Sequence, residues 1–355
     1  MKRSTLLFIM YILLVVNAIC GSGKMRTENF EFRYKTGKLV GFLDLPDGRD
    51  PSGIVILVPG YGRTNFSEHN WYYDSLRSNF TRLGFTCCEW DKAGCGKSEG
   101  TFDANQPVQS SAEEVVAAIK ELKHRKITGS DKIGLWGISR AGWICPLVIQ
   151  EYPSIAFWIS VSGTDDKENF GYLLESNFRI EGRSEAQTRL LMSEWRRGNN
   201  LFRKGGSFEE YQKATQILRQ DPFWLSVSGE QYTQEGWMRN QKQFITEGHQ
   251  FDEETGLMIY VPDFQKTLMN IGCPVLAIFG EKDSNVDWRK TITIYRETIG
   301  RNKNAGLTIK TLPDCNHSII KCQTGGIHEN LNKWEYGEGY VETIQTWLKA
   351  NEPGR

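Results

Sequence analysis

The feature that most constrains the fold of this chain is a series of short, continuous apolar runs. Each run has the length of a strand, and an uninterrupted apolar strand is typical of one buried on both faces of a parallel sheet. Helical segments lie between the runs. Parallel strands need such crossovers, so the predicted fold class is α/β. The five runs are GIVILVPG (53–60), GFTCCEW (84–90), KIGLWG (132–137), IAFWISVSG (155–163) and CPVLAIFG (273–280).

The sequence predicts a helix on each side of the run KIGLWG. The segment QSSAEEVVAAIKELKHR (109–125) has apolar residues at helical spacing and a capping-type start at Ser110 or Ser111. The segment RAGWICPLVIQEY (140–152) predicts a second helix, which we expect Pro146 to interrupt early because proline lacks the N–H that a helix needs.

The strand and helix alternation stops at about Gly163 and resumes only after about Leu268. The stretches between them are charged, rich in aromatic residues and helical in pattern. We therefore predict a core made of residues 25–162 and 270–352, interrupted by a helical segment at 163–269, which we call the insertion. The insertion begins at the edge of a parallel sheet where such sheets bind ligands, so we expect it to form a lid over that edge. Its aromatic residues either form core or wall an acyl or aryl pocket.

The first 20 residues have the pattern of a secretory signal peptide. Lys2 and Arg3 precede an apolar stretch, Leu6 to Ile19, that is shorter than the ~20 residues of a membrane span. We expect residues 1–20 to be removed, leaving an exported chain, periplasmic or extracellular, without a stable membrane span. Cys20 also permits a lipoprotein signal, in which this cysteine anchors the chain to a membrane, although Ile19 is bulky for such a site.

Charge and cysteine content exclude several classes of function. Lysine and arginine total 43 and so do aspartate and glutamate, which gives no electrostatic basis for binding nucleic acid. A small molecule is the expected partner. The cysteines after Cys20 are odd in number and lack repeated C-x-x-C spacing, which argues against a zinc site and a dense disulfide framework. Cys315 and Cys322 could pair, whereas buried thiols are expected at Cys87, Cys145 and Cys273.

Ser139 is the candidate nucleophile. It lies in Gly137-Ile138-Ser139-Arg140-Ala141, between a predicted strand and a predicted helix. A serine on a sharp strand-to-helix turn needs small residues two positions before and two after it, and Gly137 and Ala141 meet that requirement. A serine that merely ends a strand is the alternative, and the strand and helix around it favour the nucleophile.

A serine nucleophile needs a base to take its proton and an acid to orient that base. Asp283 follows the run CPVLAIFG where the loop turns back, and Glu281 and Asp287 are nearby rivals. Of the five histidines, His317 follows the last predicted strand and comes after Asp283. The order Ser139, Asp283, His317 is the order of the α/β-hydrolases and differs from that of chymotrypsin and subtilisin.

The segment EWDKAGCGKSEG (89–100) resembles the D-x-x-G-x-G-x-S-x-G loop that follows the fourth strand in many α/β-hydrolases. The chain is similar to exported bacterial serine esterases with a hairpin start, a helical insert and a late Asn-His pair before TGG. The resemblance implies a mostly parallel central sheet flanked by helices, with a helical cap inserted after the sixth strand. Ile138 and Arg140 stand where those esterases often have histidine and glutamate, and Ala141 replaces glycine, which weakens any transfer of substrate preference.

The resemblance also implies the groups that bind the oxyanion. The segment VPGYGRTN (58–65) corresponds to the loop that supplies one donor, which we assign to the backbone N–H of Tyr61, and the backbone N–H of Arg140 is the other. The sequence therefore predicts an exported serine hydrolase that cleaves small-molecule carboxylic esters through an acyl-enzyme, without a metal or an organic cofactor. A serine aminopeptidase or a thioesterase on the same fold, or a non-catalytic binding protein, are the alternatives.

Overall fold

The computed structural model describes residues 26–351, apart from 36, 67, 69, 229–232 and 254. The predicted signal peptide at 1–20, including Cys20, lies outside the described residues. Among the helices of the described part, none is long and apolar enough to cross a membrane.

The described residues form a central eight-stranded sheet in the order β1-β2-β4-β3-β5-β6-β9-β10. The hairpin β1-β2 joins the sheet antiparallel to β4, and every pairing from β4 to β10 is parallel. The strands are β1 (Arg26–Tyr34), β2 (Gly37–Leu45), β3 (Gly53–Val58), β4 (Phe85–Trp90), β5 (Ile133–Ile138), β6 (Phe157–Val161), β9 (Val275–Gly280) and β10 (Leu307–Leu312). A separate two-stranded sheet pairs β7 (Gln250–Phe251) with β8 (Met258–Ile259).

Helices cover both faces of the central sheet. The α-helices of the described part are α1 (Trp71–Leu83), α2 (Val108–His124), α3 (Ala141–Glu151), α4 (Phe170–Ile180), α5 (Glu185–Arg203), α6 (Phe208–Ala214), α7 (Pro222–Ser228), α8 (Gln234–Glu247), α9 (Phe264–Met269), α10 (Trp288–Glu297) and α11 (Tyr340–Ala350). Helices α1 and α11 contribute to the apolar cluster on one face, and α2, α3, α9 and α10 contribute to the cluster on the other. Ile54 and Ile56 face one cluster while Val55 and Leu57 face the other, which explains why the strand runs are apolar throughout.

The predicted serine cap of one helix and the predicted interruption of another are both wrong. Helix α2 begins at Val108 after Pro107, without a side-chain cap, and not at Ser110 or Ser111. Proline fixes a backbone angle that suits the entry to a helix, so no serine cap is needed. Helix α3 continues through Pro146, which is buried in it. Apolar packing on β5 and β6 holds this helix together despite the missing N–H.

The insertion consists mainly of helices α4 to α8, which follow β6. Part of it packs around its own apolar cluster, formed by Leu174, Phe178, Leu191, Met192, Trp195, Leu218, Phe223 and Trp224. Helix α9 falls within the range 163–269, but its residues Phe264 and Leu268 belong to the cluster of the core.

The seven cysteines of the described part are free thiols, including Cys315 and Cys322. The disulfide that the sequence left open between these two is therefore not formed in the structure. Burial raises the pKa of the Cys322 thiol to about 12, so this thiol is not in its reactive form at neutral pH.

Candidate active site

Ser139 occupies a sharp turn between β5, which ends at Ile138, and α3, which begins at Ala141. Its backbone has a φ of 58°, in the left-handed region that residues other than glycine rarely adopt. Two hydrogen bonds hold the turn: the Ser139 N–H donates to the carbonyl of Val161 at 3.0 Å, and the Gly142 N–H donates to the carbonyl of Ser139 at 2.7 Å. The strained angle is therefore fixed by the neighbouring strand β6 and by the start of α3.

The residues around Ser139 are small because the turn folds back on its own helix. A Cβ placed on Gly137 would lie 2.8 Å from the Cβ of Ala141 and 2.8 Å from the Sγ of Cys145. A Cβ placed on Gly60 would lie 3.2 Å from the Cβ of Ser139. The structure thus gives a steric reason for Gly137, and it places the loop after β3 directly against the serine.

Asp283 and His317 are brought together by two loops at the same edge of the sheet. Asp283 follows β9, and its Oδ2 lies 2.8 Å from Nδ1 of His317, which follows β10. The other carboxylate oxygen accepts the N–H groups of Asn285 at 2.8 Å and Val286 at 3.0 Å. The Asp283 side chain is fully buried. A carboxylate held at Nδ1 favours the tautomer in which Nδ1 carries the proton and Nε2 is the free base.

The two rival carboxylates are engaged elsewhere. Glu281 accepts a hydrogen bond from the hydroxyl of Thr311 at 2.8 Å. Asp287 is the N-cap of α10, where its side chain accepts the N–H of Lys290. Of the three acidic side chains considered in this loop, Asp283 is the one that contacts His317.

Ser139 and His317 line the same cavity, which has a volume of about 900 Å³. In the described structure, the Ser139 hydroxyl makes no direct hydrogen bond to the imidazole. Such bonds are often long in a free enzyme and shorten when substrate binds. The structure therefore brings Asp283 and His317 into contact and places Ser139 in the cavity that His317 faces.

Comparison with known proteins is consistent with this architecture. A family model described as serine aminopeptidase, S33, matches residues 49–170, roughly a third of the chain. The esterase Pf2001 of Pyrococcus furiosus, in one crystal form, superposes with a TM-score of 0.53 at 14% identity, covering 92% of this chain and 91% of that one. The structure of DcsB in complex with its substrate analogue gives a TM-score of 0.53 at 13% identity, covering 93% and 100%. The chain has the α/β-hydrolase fold. No curated protein sequence matches it significantly.

In this α/β-hydrolase fold, the two predicted oxyanion donors lie beside Ser139. Tyr61 lies in the loop after β3 and lines the cavity, and Arg140 directly follows the serine. Within the described part of the chain, neither backbone N–H has a hydrogen-bond acceptor. Neither N–H is therefore committed to another described group, as the predicted role requires.

The Arg140 side chain binds other groups of the protein. It is buried, and its guanidinium donates to the carbonyl of Gln106 and to the Ser111 hydroxyl, the latter at 3.1 Å. The guanidinium carbon also lies 5.2 Å from the centre of the Tyr61 ring. Arginine at this position of the hydrolase fold thus links the serine turn to α2 and supports Tyr61.

The wall of the cavity is largely aromatic. The insertion supplies Phe170, Trp195, Phe202, Tyr211, Trp224, Trp237, Phe244 and Tyr260, and the rest of the chain adds Tyr61, Tyr72, Tyr73, Trp143 and Trp334. Phe223, another aromatic residue of the insertion, is instead buried in the cluster of the insertion. Tyr232 lies outside the described residues.

Glu168 is a cavity residue that the sequence analysis missed. It lines the same cavity as Ser139 and forms no ion pair with another described residue. Burial raises the pKa of its carboxyl to about 7, and the positive charge of Arg203 offsets only part of this effect. Glu168 lies after β6 at the start of the insertion, and no motif marks it. Only the fold places it in the cavity.

A second hydrogen-bonded group of serine, histidine and carboxylate lies outside the cavity wall. Nε2 of His328 lies 3.0 Å from the Ser226 hydroxyl, and its Nδ1 lies 2.8 Å from Oε1 of Glu181. The Ser226 hydroxyl donates to the carbonyl of Phe223 at 2.6 Å, so its proton is already engaged. Ser226 is exposed and sits within α7 and not on a strand-to-helix turn. This second group therefore lacks the features that distinguish Ser139.

Helix α4 of the insertion is bonded to the loop that carries Asp283. The amide of Asn177 donates to the carbonyl and the hydroxyl of Ser284 at 3.4 and 3.3 Å, and its oxygen accepts the Ile327 N–H at 2.9 Å. The Tyr172 hydroxyl donates to the carbonyl of Asp283 at 3.3 Å. These contacts make α4 part of the support for Asp283.

The remaining histidines of the described part lie away from Ser139 or bind other groups. His124 is exposed, and His249 contacts Glu247 at 2.7 Å on the wall of the cavity. His69 lies outside the described residues. In the part of the chain that the structure describes, no group of three or more His, Cys, Asp and Glu residues could hold a metal ion.

Proposed function

We propose that the chain is a serine hydrolase that cleaves carboxylic esters through an acyl-enzyme. The observation that carries the proposal is the hydrogen bond between the buried Asp283 and His317, whose imidazole shares a cavity with Ser139 on its strained turn. Acyl transfer by serine needs a nucleophile, a base and an acid that orients the base, each held in place by the fold.

Acylation begins when Nε2 of His317 takes the proton of Ser139 as its Oγ attacks the ester carbonyl carbon. The N–H groups of Tyr61 and Arg140 donate to the oxygen that becomes negative. The tetrahedral intermediate then collapses, the bond to the alcohol oxygen breaks, and His317 gives its proton to that oxygen. Asp283 stabilises the imidazolium that exists between these two proton transfers.

Deacylation repeats these steps with water. His317 takes a proton from the water as its oxygen attacks the acyl carbon. The bond to the Ser139 Oγ breaks, and His317 returns the proton to the serine. The free carboxylic acid leaves, so one water is consumed for each ester.

The cavity favours esters with a bulky apolar acyl or aryl group. Its volume of about 900 Å³ is near the upper end of the ~300–1,000 Å³ found for small-molecule sites. Aromatic side chains form most of the wall on the insertion side. A small acetyl ester leaves much of this surface in contact with water, whereas a larger acyl group covers it.

The test compares two serines that each contact or face a histidine. Wild type, Ser139→Ala and the control Ser226→Ala are incubated with a fluorophosphonate probe and with nitrophenyl esters of short and long acyl chains. We expect wild type and Ser226→Ala to be labelled and to turn over esters, and Ser139→Ala to lose both. A Ser139→Ala variant that hydrolyses esters as fast as wild type would contradict the proposal.

A serine aminopeptidase is the second candidate, and Glu168 is the specific observation that favours it. A carboxylate in the cavity that forms no salt bridge with a described residue can hold the ammonium group of a free N-terminus, and the partial family match points in the same direction. Aminoacyl arylamides compared with N-acetylated arylamides and esters distinguish the two. A preference for free amines that Glu168→Gln abolishes, while the control Glu247→Gln keeps it, would favour the peptidase.

Export is part of the proposal and rests on residues 1–20 alone. We expect the mature protein, recovered from outside the cytoplasm, to begin near residue 21. If Cys20 is the lipid anchor, the mature chain begins at Cys20 and takes up a radiolabelled fatty acid that Cys20→Ala does not. A chain recovered in the cytoplasm with Lys2 and Arg3 still present would contradict export.

A further inference from the structure

Lys92 contacts the loop that carries the proposed oxyanion donor. Its Nζ donates to the carbonyl of Gly60 at 2.6 Å and to the carbonyl of Gly62 at 2.9 Å. Lys92 follows β4, whereas the two glycines follow β3, so the lysine connects neighbouring loops at the same edge of the sheet. None of the proposed steps assigns it a role.

The bond to Gly60 fixes a peptide that borders the nucleophile. The carbonyl of Gly60 and the N–H of Tyr61 belong to the same planar trans peptide, in which these two groups point in opposite directions. Holding the carbonyl toward Lys92 therefore turns the Tyr61 N–H to the other side. A Cβ on Gly60 would lie 3.2 Å from the Cβ of Ser139, so this peptide lies next to the serine.

The lysine is itself well anchored. Its backbone N–H donates to the Thr64 hydroxyl at 2.8 Å, and the preceding Asp91 accepts the Phe66 N–H at 2.9 Å. A third connection runs from the guanidinium of Arg63 to the carbonyl of Gly94 at 2.7 Å. The two loops are thus joined along their length, and the ammonium group of Lys92 is the part that reaches the Gly60 peptide.

We propose that Lys92 is a positioning residue for ester hydrolysis, which orients the Gly60–Tyr61 peptide so that the Tyr61 N–H faces the developing oxyanion. This inference rests on the proposed function. Lys92 touches neither the substrate nor the reacting atoms, and it acts through the backbone of the loop after β3.

The charge of Lys92 makes its positioning role depend on pH. Burial, and to a smaller extent the nearby positive charge of Arg140, lower the pKa of its ammonium group to about 8, although Glu114 and Cys95 act in the opposite direction. Below this pKa the ammonium group makes charge-assisted hydrogen bonds. Above it, a neutral amine makes bonds roughly half as strong, so the Gly60 carbonyl is held less firmly. Activity should therefore fall as the pH rises through about 8.

The experiment compares three variants with wild type. Lys92→Met removes the donors and keeps most of the length of the side chain. Lys92→Arg keeps a charge that does not titrate below pH ~12, and Lys97→Met changes an exposed lysine of the same loop. Loss of a whole oxyanion donor costs about 10²- to 10³-fold in kcat, so a misdirected donor should cost roughly tenfold to a hundredfold. For Lys92→Met we expect that loss with KM within about threefold of wild type.

The pH profile and the loop itself give two further readouts. We expect the decline in kcat near pH 8 to vanish in Lys92→Met and to move to higher pH in Lys92→Arg, which should regain most of the activity. Hydrogen exchange of residues 59–66 should be faster in Lys92→Met than in Lys97→Met, and this measurement needs no turnover.

The outcomes separate this inference from the proposed function. If wild type hydrolyses esters and Lys92→Met matches Lys97→Met in kcat and in its pH profile, the inference is overturned and the proposed function stands. If wild type neither binds the fluorophosphonate nor turns over any ester, the proposed function fails and the catalytic role of Lys92 fails with it. Hydrogen exchange then still decides whether the lysine orders the loop.

Discussion

Replacing Asp283 by asparagine tests the proposed acid while leaving its surroundings in place. Oδ1 accepts two backbone N–H groups, from Asn285 and Val286, so the amide oxygen of an asparagine will take that position. The amide NH2 is then directed to Nδ1 of His317, where the carboxylate was. An NH2 group can only donate there. The imidazole must therefore carry its proton on Nε2, and it can no longer take the proton of Ser139.

The size of the effect follows from this change of tautomer. In serine hydrolysis, an asparagine in place of the acid lowers kcat by about 10⁴-fold, which corresponds to about 5 kcal/mol of transition-state stabilisation. Stability should change much less, by about 1 kcal/mol, because the two backbone bonds to the side-chain oxygen survive. We therefore expect a folded, nearly inactive protein.

The assay measures kcat on a nitrophenyl ester, the rate of fluorophosphonate labelling and the midpoint of urea unfolding. Asp287→Asn is the matched control, since it makes the same chemical change four residues away at the N-cap of α10. It should keep at least a third of the wild-type kcat. The reasoning is refuted if Asp283→Asn retains kcat within threefold of wild type, or if Asp287→Asn is the more damaging change.

Three other predictions concern stability. Glycine tolerates the φ of 58° at Ser139, so Ser139→Gly should unfold at a higher urea concentration than Ser139→Ala. Its free energy of unfolding should be higher by about 0.5–1 kcal/mol once the flexibility of unfolded glycine is counted, and equal midpoints would contradict strain at Ser139. Gly137→Ala should cost about 1–3 kcal/mol and most activity, because its Cβ meets atoms at 2.8 Å, whereas Gly272→Ala, with open space around it, should be mild in both assays. The pKa of Glu168 is raised to about 7, so the folded state binds more protons than the unfolded state between about pH 4.5 and 7, and stability falls as the pH rises through that window. In urea unfolding, Glu168→Gln should therefore be more stable than wild type by on the order of 2 kcal/mol at pH 8 and should differ little from it at pH 4.

The fold was predictable because burial determines the composition of the central strands. The five apolar runs correspond to β3, β4, β5, β6 and β9, in which every residue is buried. A strand with helices on both faces has no polar side, so its run of apolar residues is distinct from the pattern of an exposed helix. The α/β prediction and the mostly parallel sheet are confirmed.

The candidate site was predictable as far as it follows from strand order. Ser139, Asp283 and His317 each follow a parallel strand, and the carboxyl ends of such strands meet at one edge of a sheet. Contacts that depend on side-chain reach were not accessible in this way. Neither the bond from Lys92 to the Gly60 carbonyl nor the position of Glu168 in the cavity has a sequence spacing that marks it.

Helix boundaries were also beyond the sequence. The serines near the start of α2 suggested a cap, yet Pro107, three residues before Ser110, already directs the chain into the helix. Pro146 suggested an interruption, but burial of α3 against the sheet outweighs one lost hydrogen bond. Local propensity fails at such positions because it does not include tertiary packing.

The bonds from α4 to the Asp283 loop restrict how the protein can be shortened. Because Asn177 and Tyr172 support Ser284 and Asp283, removing all of the insertion would loosen the acid along with the cavity wall. A minimal catalytic unit has to retain the polypeptide through Ile180, where α4 ends, and can be cut only beyond that point. Engineering that swaps insertions between homologous scaffolds should accordingly place its junction after this helix.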